Sequence, residues 1–209
     1  MSITTLILGE SGTGKSTSLR NFDASQIALI QSIKKPLPFR NNIKQYVTDD
    51  WSKVIRAMQQ AATNGKKIIV IDDFQYVMAN EFMRRSAERG FDKFTEIASH
   101  AWEVLNAANA LPDDVRVYIL SHTEETQTGT VKIKTIGKML DEKITIEGMF
   151  TIVLRTCVSD GQYFFRTKNS GQDTVKSPLG LFCSDKIDND LAYVDSQICE
   201  YYNLAGEAK

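Results

Sequence analysis

Short apolar runs alternate along the chain with longer stretches in which apolar positions recur every three to four residues. Residues 3–8, 27–30, 68–71 and 115–121 are rich in β-branched and aliphatic side chains. The four-residue run Ile68-Ile69-Val70-Ile71 has no polar alternation, as expected for a strand buried on both faces of a parallel sheet. Trp51, Val54, Ile55, Met58 and Ala62 fall at helical spacing behind the good N-caps Asp49 and Asp50, and Gly65 ends that helix. Residues 74–110 predict a long helical stretch interrupted near Gly90, whose second part carries Phe94, Ile97, Ala98, Ala101, Trp102 and Leu105. Two prolines make Lys34-Lys35-Pro36-Leu37-Pro38-Phe39-Arg40 an extended loop. Strands alternating with helices predict an α/β fold with a largely parallel central sheet flanked by helices. Later in the chain, residues 131–135 alternate apolar and polar. Residues 151–154 and 163–165 read as short strands joined through Asp160-Gly161, together an antiparallel C-terminal extension. A short amphipathic helix is expected within residues 188–204.

Length and composition narrow the class. At 209 residues, with 42% hydrophobic and 24% charged residues, the chain can bury one core and reads as a single domain over 1–209. No apolar run approaches the ~20 residues needed to span a bilayer. The N-terminal residues lack the basic region of a signal peptide, so a cytoplasmic protein without membrane association is expected. Cys157, Cys183 and Cys199 are widely spaced with no CxxC, which points to reduced thiols rather than zinc. The formal net charge of -1 hides an uneven distribution: residues 11–70 hold ten Lys/Arg against three Asp/Glu, and residues 71–130 five against eleven. A nucleic-acid-binding stripe would have to be assembled locally from the basic blocks.

The first apolar run ends in Gly9-Glu10-Ser11-Gly12-Thr13-Gly14-Lys15-Ser16, a full match to G-x-x-x-x-G-K-[ST] placed between a strand and an expected helix. Glycines there let successive N–H groups turn toward a phosphate chain, and the helix beginning near Gly14 adds its N-terminal partial charge. Lys15 supplies the charge for the terminal phosphates. Ser16 completes a Mg²⁺ shell, and Thr17 continues the site. Asp72, at the end of the second buried run, is placed to hold Mg²⁺. Asp73 is either the group that activates water or the N-cap of the following helix. His122, at the end of the 115–121 strand, is either a contact to the terminal phosphate or an exposed loop histidine. His100 reads as a packing or surface residue.

With these motifs the chain resembles the RecA-like core P-loop ATPases encoded by bacteriophages, a group that includes single-strand annealing and recombination proteins. The resemblance spans about residues 3–182. It rests on 9–16, Lys35-Pro36-Leu37-Pro38-Phe39-Arg40, Asp72-Asp73, Ser121-His122-Thr123-Glu124 and Gly137-Lys138. It implies a RecA-type fold, ATP and Mg²⁺ binding, homo-oligomerisation with nucleotide at subunit interfaces, and action on single-stranded DNA in the host cytoplasm beside a single-strand-binding protein or a nuclease. Arg166 and Lys168 are similar to the basic-x-basic finger that such assemblies donate to a neighbour's site; their alternative is a charged edge strand. The chain departs from the pattern at Gln31-Ser32-Ile33, where many RecA-like enzymes carry a catalytic Glu.

DNA contacts are then expected from Lys132 and Lys134 and from the loop holding Lys34, Lys35 and Arg40, with Phe39 a loop anchor rather than a base platform. Two other readings stay open. A nucleotide-gated adaptor without hydrolysis is motivated by the missing Glu. A small-molecule kinase would use Arg84, Arg85 and Arg89 as a lid.

Overall fold

A computed structural model describes residues 1–137 and 139–204. Its sheet comprises, among these residues, strands β1 (Ile3–Gly9), β2 (Ile27–Gln31), β3 (Gln45–Val47), β4 (Ile68–Asp72), β5 (Arg116–Glu125), β6 (Val131–Ile133), β7 (Ile152–Ser159), β8 (Gln162–Arg166) and β9 (Lys186–Asp188). The helices are α1 (Trp51–Thr63), α2 (Gln75–Arg84), α3 (Asp92–Asn109) and α4 (Leu191–Tyr201). The strand order is β3-β2-β4-β5-β1-β7-β8-β9, with β6 paired to β5 off this path. From β3 to β7 every pairing is parallel; β8, β9 and β6 are antiparallel to their neighbours.

Period-two alternation explains the uninterrupted apolar runs, because each face of the sheet packs against its own layer. Leu6, Leu8, Ile69, Ile71, Val117 and Ile119 face one core, closed by Val54 and Met58 of α1, Val77 and Met78 of α2, and Ile97, Ala101 and Leu105 of α3. Ile7, Ile68, Val70, Tyr118, Leu120 and Leu154 face the other, closed by Leu19, Leu37 and Leu191, Val194 and Ile198 of α4. Burying each such aliphatic side chain is worth about 1.5–3 kcal/mol. Asp50 caps α1 by accepting from Ser52 N and Lys53 N, as its sequence position predicts. The break near Gly90 separates α2 from α3.

Two expectations are corrected. Residues 151–154 belong to β7, which is parallel to β1 and lies inside the sheet, so the antiparallel extension begins only at β8. A strand reached after a long crossover carries the same local apolar pattern as one half of a hairpin, so the pattern does not distinguish the two. The Asp160-Gly161 turn itself is as expected, with both residues at positive φ (53° and 76°). Second, the helix expected after the glycine turn is not an α-helix: Ser16–Asn21 is a short 3₁₀ helix. Ser16-Thr17-Ser18 is a run of poor helix formers, and the Ser18 hydroxyl donates to Lys15 O at 2.6 Å, competing with the helical ladder. Lys138, one of the residues carrying the resemblance, lies outside the described residues.

Candidate functional site

The C-terminal ends of β1, β2, β4 and β5 share one edge of the sheet. Gly9 stands in register with His122, and Gln31 with Asp72. This is the edge where open parallel sheets bind ligands. A cleft of about 630 Å³ opens there, lined by residues that include Ser11, Lys15, Thr17, Lys35, Tyr76 and Tyr163.

The turn at one wall depends on its glycines for two separate reasons. Gly12 and Gly14 have φ of 80° and 95°, conformations costly for other residues. At Gly9 the constraint is packing: a Cβ there would lie 1.9 Å from Thr156 Oγ1. Thr156 on β7 hydrogen-bonds Thr13 at 2.6 Å and donates to Leu8 O at 3.2 Å, fastening the turn to the sheet. A Cβ at Gly14 would come within 3.0 Å of Tyr163 and 3.1 Å of Asn189. Glu10 is exposed, with a carboxylate oxygen 3.9 Å from Arg155.

Lys15 is 6% exposed. Its ammonium donates to Gly9 O and Glu10 O, both at 2.8 Å, so it is folded back onto its own turn. Burial pulls its pKa down to about 8, with Asp73 and Asp72 opposing. Ser16 Oγ donates to both carboxylate oxygens of Asp72, at 3.1 and 3.0 Å, and Gln31 Nε2 lies 3.3 Å from Asp72 Oδ2. Burial, then the neighbouring Asp73, raises the Asp72 pKa. Ser16 and Asp72 are thus joined as a hydroxyl–carboxylate pair that fits a Mg²⁺ ion. Such an ion takes few protein ligands and completes its shell with phosphate oxygens and water. Among the described residues no group of three or more His, Cys, Asp or Glu is arranged to hold a metal, so a chelating all-protein centre is not what the side chains offer.

Asp73 does not cap α2. It has φ of 62°, and its carboxylate is turned into the cleft, where His122 Nε2 approaches Oδ1 at 3.5 Å and the Lys35 ammonium pairs with Oδ2. Burial pushes its pKa up, but hydrogen bonds from His122 and Lys35 outweigh this and hold it below the ordinary value. A non-glycine residue at positive φ and buried beside a cleft is the kind of local strain that clusters at functional sites. His122 is correspondingly a cleft residue, not an exposed loop histidine. It also connects the cleft to the β5–β6 hairpin, since Lys134 N donates to His122 O at 2.9 Å. His100 packs as expected, stacked on Trp51 at 4.4 Å and bonded to Glu81 at 2.9 Å.

The structure therefore gathers Lys15, Ser16, Thr17, Asp72, Asp73 and His122 around one cleft. Arg166 and Lys168 are not in it. Arg166 sits on β8 opposite Arg155 and Lys186, and Lys168 pairs with Asp185 at 2.8 Å. Lys35, which the sequence placed at a DNA contact, is instead a wall of the cleft; Leu37 (7% exposed) and the packed Phe39 anchor its loop in the core. Lys132 pairs with Glu124 at 3.5 Å on the β5–β6 hairpin. Arg84 and Arg85 are engaged with Asp49 and with Glu81, Glu88 and Glu96, away from the cleft. Sequence reasoning missed Tyr163 and Tyr76 as cleft residues and Gln31 as a partner of Asp72. Only Gln31 left a signal, as the polar end of an apolar strand.

Among the described residues no helix is long and apolar enough to cross a membrane. No family model matches the chain, and no curated protein matches it.

Proposed function

We propose that the chain is a Mg²⁺-dependent ATPase with a RecA-like core that works as a homo-oligomer on single-stranded DNA. The observation that carries this reading is the convergence of Lys15, the Ser16–Asp72 pair and the strained Asp73 on one cleft beneath a glycine turn. The placement of β5 between the strands bearing Gly9 and Asp72 supports it further, because that interposed strand delivers His122 to the same edge.

In this reading Lys15 exchanges two backbone carbonyls for phosphate oxygens of the nucleotide, and its charge is fixed by the triphosphate it meets. Ser16 and Asp72 hold the metal ion, which supplies charge neutralisation for the phosphates. Asp73, kept ionised, accepts a proton from water. The water oxygen bonds to the terminal phosphorus, and the bond to the bridging oxygen breaks with its electron pair leaving on ADP. His122 orients Asp73 and passes the nucleotide state to the β5–β6 hairpin. Arg166 and Lys168 lie outside their own chain's cleft, which is where a group serving a neighbouring subunit must lie. A cation supplied in trans can accelerate phosphoryl transfer by on the order of 10³–10⁵.

DNA binding is assigned to Lys132 and Lys134 on the hairpin that follows His122, since a hairpin hydrogen-bonded to a phosphate-facing residue couples the two sites. A single-strand-binding protein or nuclease is the expected partner. The kinase reading is weakened by the ion pairs that occupy Arg84 and Arg85. The test is phosphate release from ATP with increasing single-stranded DNA, at low and high salt. DNA-stimulated turnover lost in Lys15→Met supports the reading; turnover indifferent to both overturns it.

A further inference from the structure

Lys35 enters the cleft from a loop that is well held. Pro36 and Pro38 restrict the backbone on its C-terminal side, and Leu37 and Phe39 pack into the core beneath α4. The side chain itself keeps freedom: it is 41% exposed, while the Asp73 carboxylate it meets is 2% exposed. Lys35, Pro36, Lys15, Tyr76 and His122 border the same space. Asp73 Oδ2 is met by the Lys35 ammonium, while His122 faces Oδ1. The arrangement joins an anchored backbone, a mobile cation and a buried carboxylate whose second oxygen has a single counter-charge.

The geometry points to Lys35 as a sensor of the terminal phosphate, acting within its own chain. With a triphosphate in the cleft its ammonium leaves Asp73 for the terminal phosphate group, and Asp73 Oδ2 is released to take the proton of the attacking water. With a diphosphate the ammonium stays on Asp73 and the carboxylate remains blocked. This rests on the nucleotide-binding reading above and adds to it a named discriminator between ATP and ADP. It also gives the Lys35 side chain two positions linked to nucleotide state, and so ties the order of its loop to the nucleotide. The driving force is a difference in charge: a terminal phosphate carries more negative charge than one carboxylate, and the long, half-exposed lysine side chain is free to turn from one to the other.

The experiment compares the wild type, Lys35→Met and Lys35→Arg, with folding of each checked by thermal unfolding. Calorimetry gives the Mg²⁺-dependent affinities for a non-hydrolysable ATP analogue and for ADP, and hydrogen exchange follows residues 33–40 in each state. The wild type is expected to prefer the triphosphate at least tenfold. Lys35→Met should lose about tenfold in triphosphate affinity with ADP affinity nearly unchanged, and Lys35→Arg should keep most of the preference. Protection of residues 33–40 should differ between the two nucleotides in the wild type and not in Lys35→Met. Equal changes for both nucleotides, no change for either, or identical exchange of 33–40 in both states would overturn the sensor while leaving nucleotide binding intact. A wild type that binds neither nucleotide overturns both.

Discussion

Strand β5 enters the sheet at Arg116 and reaches the cleft at His122, and it meets a buried charged cluster at each end. At its entry, Arg116 holds Asp195 of α4 through two bonds of 2.9 and 3.0 Å and donates to Asp114 O at 2.9 Å, while Tyr118 donates to Asp195 at 2.5 Å. Each nitrogen of the guanidinium and each oxygen of the carboxylate has a partner. At its exit several polar groups are not matched. Lys15 rests on main-chain carbonyls, Asp73 is strained, and Gln31 Oε1, Ser32 Oγ and Ser121 Oγ are buried without a hydrogen-bond partner. Each unsatisfied buried polar atom costs about 1–3 kcal/mol. A closed network serves folding by tying α4 to the sheet; an open one of similar burial leaves polar groups beside a cleft.

Breaking the closed cluster gives the largest effect on stability. Arg116→Ala leaves Asp195 buried without its cation and should lower the unfolding free energy by about 3–5 kcal/mol in urea titrations, with nucleotide affinity of the folded protein unchanged within about twofold. A loss no greater than that of the exposed Arg89→Ala would remove the distinction between the two ends.

The open cluster predicts the opposite sign. Lys15 is buried with a folded pKa of about 8 against an unfolded value of 10.5. The native state therefore binds fewer protons between these values, and stability from this group rises with pH across that window. Replacing the charge in Lys15→Met should stabilise the nucleotide-free protein at pH 7 by about 1–3 kcal/mol. The advantage should shrink as pH rises from 8 to 10.5. A pH-independent difference, or destabilisation, would contradict the account.

Tyr118 sharpens the comparison from the other side. Burial first, then Asp195, lifts its pKa well above 10.0. The folded state retains its proton where the unfolded state has lost it, so wild-type stability should fall as pH rises above 10. Tyr118→Phe should cost about 1 kcal/mol at pH 7 and lack that alkaline decline. The smallest stability change is expected for Asp73→Asn, within about 0.5 kcal/mol, because asparagine also tolerates positive φ. Its turnover should nonetheless drop by on the order of 10².

The sequence made the repeating features legible and left the long-range ones hidden. Helices α1 and α3 announce themselves through apolar spacing, and β4 through its unbroken aliphatic run, since both patterns are local consequences of burial. The position of β7 inside the sheet was not legible, because strand order depends on crossover packing and not on any residue of the strand. The same holds at the site. Gly9, Gly14, Lys15, Ser16 and Asp72 are legible because their spacing is that of a phosphate-binding turn and its acidic partner. Lys35 was misplaced because its role depends on the Leu37 and Phe39 anchors, which set where the loop lies. The 3₁₀ turn after Ser16 shows local hydroxyl bonding defeating an expected helix.

The most direct test of the central claim is calorimetric titration of a non-hydrolysable ATP analogue in Mg²⁺ into the wild type, Lys15→Met and Asp72→Asn. The account predicts one saturable site per chain in the wild type, loss of that binding in Lys15→Met, and loss of its Mg²⁺ dependence in Asp72→Asn. Binding of equal strength in all three proteins, or none in the wild type, would contradict it.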